Sequence, residues 1–172
     1  MKSRNLSMAA LAAMLLQLAS AQAEEYRVSA TNYAATFTVA LGKNWTVSST
    51  TPPEIFFELK SNDHVVASAG LWGLDTPLSD PRVKAIDLSD FAPTKDSMLQ
   101  QGGLPARRIE GAAVSEGEKL SVSSLAIKAA PDAPIVQLTI WGPPDIWTHP
   151  DIHGQVEGLL ASFRVASPSK GK

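Results

Sequence analysis

The sequence contains no cysteine. The chain therefore has no disulfide framework, no thiolate metal site and no cysteine nucleophile. The lack of cysteine also excludes a lipid anchor, which exported bacterial proteins carry on a cysteine directly after the leader. The fold must be stabilised by its hydrophobic core without covalent cross-links.

Sequence motifs of several common enzyme classes are also missing. There is no G-x-G-x-x-G or G-K-[ST] loop that would hold phosphate groups, and no G-x-S-x-G nucleophile elbow. The absence of these motifs does not exclude a Ser/His/Asp triad assembled from distant segments of the chain. A small hydrolase therefore stays as the third of three functional hypotheses.

Basic residues are neither in excess nor clustered. The chain has 15 Lys and Arg against 17 Asp and Glu, a formal net charge of −2. Proteins that bind nucleic acid need clustered Lys and Arg to displace counterions from phosphates. We therefore expect no nucleic-acid partner, and we interpret Arg107 and Arg108 as solvated surface residues.

Long apolar runs are absent except near the N-terminus. Lys2 and Arg4 precede an apolar stretch over residues 8–18, and Ala21-Gln22-Ala23 follows as a small-x-small cleavage site. This pattern predicts a signal peptide over residues 1–23. The apolar stretch is shorter than the roughly 20 residues that a transmembrane helix needs, so we expect no membrane anchor. The predicted location is the periplasm or the external medium.

The remaining chain is predicted to contain one domain. Residues 24–32 are polar and are expected to be a flexible lead-in, residues 33–165 carry the periodic patterns, and residues 166–172 are expected to be a disordered tail. Alternation of apolar and polar residues predicts half-buried or buried strands. The predicted strands cover residues 33–41, 45–47, 55–59, 64–71, 104–113, 120–130 and 135–141.

Two helices are predicted among these strands. Residues 87–101 suggest a helix that Gly102 and Gly103 would stop. A second helix is expected after residue 148, with Thr148 as its cap in a capping box with Asp151 and with Pro150 in its first turn. An apolar stripe follows at Ile152, Val156, Leu159, Leu160 and Phe163, and we attribute the interrupting Gly154 and Gly158 to close approach to a sheet. The predicted class is α+β, a mostly antiparallel sheet of six or seven strands covered by helices.

Four stretches carry a resemblance to a known family. They are YAATFTVALGKNW near the start, GGLPARRIEG entering a strand, IVQLTIW, and the closing LLASFR. Together they resemble the PsbP-like superfamily, small exported bacterial proteins related to the photosystem II extrinsic protein PsbP. The resemblance implies an α/β/α sandwich and a protein that binds other macromolecules. It implies no family-wide catalytic residues.

Tryptophans at loops and strand ends are the candidate binding residues. Large aromatic side chains in such places supply much contact area at low entropic cost, although they can equally plug the open ends of a sandwich. The sequence does not distinguish a binding role from a packing role for these tryptophans, whereas Trp45 is assigned to the core. The candidate binding residues are Trp72, Trp141, Pro143, Pro144 and Trp147.

His149 and His153 are the candidate metal ligands. Two histidines four residues apart on a helix, with Asp145 and Asp151 nearby, suit a divalent ion such as zinc. The alternative is that both are solvated residues at a helix start, where the sequence lacks the glutamate of an HExxH motif.

We therefore hypothesise an exported, non-enzymatic binding or accessory protein of the bacterial envelope that recognises a protein or another envelope component. No cofactor is implied. The first alternative is a metal-binding protein that uses His149 and His153.

Overall fold

The structure, a computed structural model, describes residues 22–30, 33–50, 54–84, 88 and 90–166. Most of the predicted signal peptide and all but the first residue of the predicted tail lie outside these residues. Neither helix in this part of the chain has the length and apolarity needed to traverse a bilayer.

The described chain folds into ten strands and two helices. The strands are β1 Glu24–Ala30, β2 Tyr33–Val39, β3 Trp45–Ser49, β4 Ile55–Leu59, β5 Asn62–Trp72, β6 Ala92–Gln101, β7 Leu104–Ser115, β8 Glu118–Lys128, β9 Ile135–Gly142 and β10 Arg164–Val165. The helices are α1 Pro144–Trp147 and α2 Pro150–Ser162.

The strands form two antiparallel sheets. The larger sheet has seven strands in the order β3-β4-β5-β9-β8-β7-β6, and the smaller sheet has the order β1-β2-β10. The mostly antiparallel sheet predicted from the alternation of residues is thus confirmed.

The main core fills the space on one side of the large sheet, which we call the helix-covered face. Val136, Leu138 and Ile140 of β9 project there and pack with residues of α2 and the small sheet, including Leu159 and Phe37. Because side chains alternate along a strand, their neighbours Gln137, Thr139 and Trp141 lie on the opposite face.

The opposite side of the large sheet, the loop-covered face, is covered by the segment over residues 73–84 and by Phe91 instead of a helix. Leu78 and Val83 of this segment pack on Ile135, while Phe91 packs on Val122 in a separate cluster. Prolines at positions 77 and 81 disfavour a continuous helix here. In the described part of the chain, helices therefore cover one face only, which is less than the predicted α/β/α sandwich.

The predicted helix over residues 87–101 is wrong, because residues 92–101 form strand β6. Gly102 and Gly103 have φ of +59° and +81°, the left-handed pair that a two-residue hairpin turn requires. They connect β6 to β7, whose register starts at Gln101 opposite Leu104. The glycine pair thus forms a hairpin turn and does not end a helix, contrary to the prediction from the sequence.

Residues 24–30 are not a flexible lead-in but strand β1. Every residue of β1 pairs with β2, from Glu24 opposite Val39 to Ala30 opposite Tyr33. Val28 is buried, and the ring of Tyr26 stacks on Phe37 with centroids 5.6 Å apart. Two apolar side chains at alternate positions are enough to bind this short strand to the core.

The final helix starts differently from the predicted capping box. His149 occupies the N-cap position without a side-chain cap, and the hydroxyl of Thr148 donates to the carbonyl of Asp145, 2.9 Å away in α1. Pro150 begins α2 as predicted, and the predicted stripe is buried. A Cβ on Gly154 or Gly158 would meet no atom within 4 Å, so the expected close approach to the sheet is wrong.

Candidate functional site

The corner at Pro143 and Pro144 separates the two tryptophans that flank it. Trp141 ends β9 and packs against the Phe91 cluster on the loop-covered face. Trp147 ends α1 and packs against the main core on the helix-covered face. Both side chains are half-buried, and Pro144 is exposed.

Trp72 belongs to a third environment. Its indole nitrogen donates to the side chain of Gln137 on the loop-covered face, and its ring packs against the Leu78 cluster. The predicted binding residues therefore do not form a single surface. Of the three tryptophans, Trp147 is the one that lines a cleft rich in charged side chains.

This cleft, which we call the Trp147 cleft, has a volume of about 190 Å³. It lies where α1 and α2 cross the helix-covered face of β7 and β8. Besides Trp147, its principal polar lining residues are Thr94, Arg108, Glu110, Ser121, Ser123, His153 and Glu157.

Arg108 is at the centre of the polar groups in the cleft. Its Nη1 and Nη2 donate to the two carboxylate oxygens of Glu157 at 2.8 and 2.5 Å, which joins strand β7 to helix α2. Nη2 also lies 3.3 Å from the hydroxyl of Ser123. Its Nε lies 2.9 Å from Glu110, at ion-pair distance but without hydrogen-bond alignment.

The ion pair shifts the titration of both partners. Hydrogen bonds from Arg108 hold the pKa of Glu157 below its ordinary value, although partial burial opposes the shift. His153 acts on Glu157 in the same direction by its charge. The same hydrogen bonds raise the pKa of Arg108. The side chains of Arg108 and Glu157 are 24% and 37% exposed, so the pair is partly shielded from water.

The two neighbouring arginines turn to opposite faces of the sheet. The structure places Ala106, Arg108 and Glu110 on the helix-covered face. Arg107 lies on the other face, where it pairs with Asp96 at 2.7 Å and donates to the carbonyl of Leu78 at 2.8 Å. The prediction that both arginines are merely solvated is therefore wrong.

The two histidines are exposed at the start of α2. His153 lines the Trp147 cleft, and its backbone N–H donates to the carbonyl of His149 at 2.9 Å. Within the described residues, no group of three or more His, Asp or Glu side chains comes together to hold a metal ion. The histidine pair thus lacks a third protein ligand in this part of the chain.

Of the residues that line the Trp147 cleft, the sequence analysis named Trp147 and His153 as candidates but did not name Arg108, Glu110 or Glu157. Arg108 and Glu157 are 49 positions apart, on a strand and on the last helix. Their pairing depends on how α2 crosses the sheet, and no local sequence pattern encodes that crossing.

No family model and no curated protein matches this sequence. Solved structures do share its fold. LpqN of Mycobacterium tuberculosis, described as involved in cell envelope biogenesis, superposes with a TM-score of 0.52 at 12% identity, over 84% of this chain and 92% of LpqN. CyanoP, the PsbP protein of Synechocystis, gives 0.52 at 10% identity, over 84% and 94% of the two chains.

The Ran-binding protein Mog1p of Saccharomyces cerevisiae is a third structure with this fold. Its TM-score is 0.50 at 10% identity, and the match covers 86% of this chain and 98% of Mog1p. At such identities the likeness concerns the fold alone.

Proposed function

We propose that this chain, which has the PsbP-like fold, is a non-enzymatic binding protein of the bacterial envelope that holds a partner protein at the Trp147 cleft. The observation that carries the proposal is the position of Trp147, a half-exposed indole beside the partly shielded Arg108–Glu157 pair. Tryptophan and arginine are the residue types most enriched among the few that supply most of the energy of protein interfaces.

The surroundings of Trp147 favour recognition. The indole packs on the main core, so it is held in place before a partner arrives and loses little conformational freedom on binding. A partner that closes the cleft would exclude water from the Arg108–Glu157 pair and strengthen it. Exposed His153 lines the same cleft, and Pro144, which is also exposed, begins the short helix that Trp147 ends.

A hydrolase is the competing hypothesis, because Ser123, His153 and Glu157 line the same cleft. A triad needs its histidine between the nucleophile and the carboxylate. In the described structure the ring of His153 makes no hydrogen bond to either residue. Arg108 instead occupies both carboxylate oxygens of Glu157 and contacts the hydroxyl of Ser123. This arrangement favours binding over acyl transfer.

Two observations support a location in the envelope. Residues 1–23 have the pattern of a signal peptide, and β1 begins at Glu24, so cleavage after Ala23 would leave every strand intact. LpqN, which shares the fold, is described as involved in cell envelope biogenesis.

Site-specific photo-crosslinking tests the proposal. A photoreactive phenylalanine analogue replaces His153, which lines the cleft, or Thr46, which is exposed on the loop-covered side of β3. We expect a discrete adduct from position 153 and none from position 46. Adding Trp147→Ala should abolish the adduct, while Trp147→Phe should retain it. Equal adducts from both positions, or an adduct indifferent to Trp147→Ala, would overturn the proposal.

A further inference from the structure

A second and larger cleft lies at one end of the molecule, away from the Trp147 cleft. We call it the Arg27 cleft, and its volume is about 530 Å³. One wall comes from the small sheet, including Arg27, Tyr33 and Ala35. The other comes from Leu74 and the turn between β8 and β9, including Ala129 and Asp132. Its size falls within the range of about 300 to 1,000 Å³ typical of small-molecule sites.

The floor of the Arg27 cleft is apolar, whereas its lining as a whole also includes polar and charged residues. Ala35 and Ala129 are partly buried and pack against the main core, so the floor of the cleft is the edge of that core. The small size of these side chains leaves the space between the two walls unfilled. An apolar group that entered would remove both its own surface and that of the floor from water.

The Arg27 cleft contains an arginine whose side chain has no partner among the described residues. The side chain of Arg27 is exposed and makes no hydrogen bond or ion pair within the described residues. Asp132, in the opposite wall, is likewise unpaired there. The other described arginines are all engaged: Arg82 by Asp80, Arg107 by Asp96, Arg108 by Glu157, and Arg164 by the carbonyls of Ala161 and Phe163.

We propose that the Arg27 cleft binds an amphipathic monoanion whose apolar body lies on the alanine floor and whose carboxylate or phosphate pairs with Arg27. A guanidinium binds such anions through two parallel hydrogen bonds. Asp132 in the same cleft disfavours multiply charged anions, because a like charge nearby is costly. This proposal does not depend on the function proposed for the Trp147 cleft.

A matched pair of ligands tests the proposal on the exported chain. Dodecanoate and dodecanol share one apolar body and differ in the anionic head, and their binding is measured by displacement of a fluorescent apolar probe. We expect dodecanoate to bind more tightly than dodecanol. Arg27→Gln should weaken dodecanoate by about tenfold, the loss of a charge-assisted pair, and leave dodecanol unchanged. Arg82→Gln, outside the cleft, should change neither.

Two further arms complete the test. Ala133→Trp in the cleft wall should abolish binding of both ligands, with circular dichroism confirming the fold.

Vesicles of anionic phospholipid distinguish the source of the anion. Binding to vesicles that Arg27→Gln removes would assign the site to a lipid headgroup, and binding of dodecanoate alone would assign it to a free anion. Either result supports the proposal, whereas no binding of dodecanoate, or equal loss of both ligands in Arg27→Gln, would overturn it.

Discussion

Single residues of β7 join the layers of this molecule. Arg108 connects the sheet to α2 through Glu157, and Arg107 connects it to the segment over residues 73–84 through the carbonyls of Leu78 and Asp80. Alternation along a strand makes this possible, because adjacent side chains point to opposite faces. The alternation is visible in the sequence, but the partners are not, since they come from distant segments.

The Arg108–Glu157 pair makes stability depend on pH. The pKa of Glu157 is lowered from 4.5 in the folded protein, so its stabilising contribution is complete above the ordinary value and is lost as pH falls through the lowered one. We expect Glu157→Gln to reduce the free energy of unfolding at pH 7 by about 0.5 to 1 kcal/mol, a range limited by solvent screening. Urea unfolding of both proteins at pH 7 and near pH 2 measures the difference, which should vanish in acid.

Glu118→Gln is the matched control, because Glu118 is exposed and makes no ion pair within the described residues. Its stability should follow that of the unsubstituted protein at both pH values. A loss in Glu157→Gln that persists undiminished in acid would mean that packing, and not charge, is the cause.

At the scale of elements, the sequence predicted strands better than helices. Strand β4 occupies the predicted residues 55–59, and β9 extends the predicted range by a single residue. The error at β6 arose because its exposed edge position leaves few apolar residues to show a period of two. Its neighbours decide its conformation. Leu99 packs on the main core, and the amide of Gln101 donates to carbonyls at the end of α2, including that of Leu160 at 3.1 Å.

Substitution of the glycines in α2 tests whether this helix has open space beside it. Because Gly158 lies in open space within a helix, Gly158→Ala should raise the free energy of unfolding by about 1 kcal/mol, and Gly154→Ala should act similarly. Thermal or urea unfolding measures the change.

The control substitution is Gly103→Ala in the β6–β7 turn. A Cβ there also meets nothing within 4 Å, but φ is +81°, so we expect a loss of about 1 to 2 kcal/mol from the left-handed conformation alone. If Gly158→Ala destabilises the protein, the space around Gly158 is not open, and this outcome would contradict the prediction.

At the scale of the whole molecule, the sequence predicted the PsbP-like fold, but it predicted the helical layers and the site only in part. The PsbP-like fold inferred from four sequence stretches is confirmed by solved structures with 10–12% identity. The separation of the two tryptophans at the corner was not predictable. Trp141 packs against the cluster on the loop-covered face, and Trp147 packs against the main core on the other face.

The position at which β1 begins bears on the predicted signal-peptide cleavage site. β1 starts at Glu24 and pairs along its whole length, so processing after Ala23 preserves the small sheet. We predict that the exported protein begins at Glu24, as intact-mass spectrometry of the secreted fraction would show. A start within β1, for example after Val28, would remove a buried side chain and contradict the assignment of the cleavage site.

The affinity of the crosslinked partner for two tryptophan variants tests the central claim most directly. Trp147→Ala should raise the dissociation constant by about tenfold or more, as expected for an interface anchor. Trp141→Phe, on the opposite face of the sheet, should leave it within about twofold, since substitutions away from the anchors are near neutral. An unchanged dissociation constant for Trp147→Ala, or an equal increase for both variants, would contradict recognition at the Trp147 cleft.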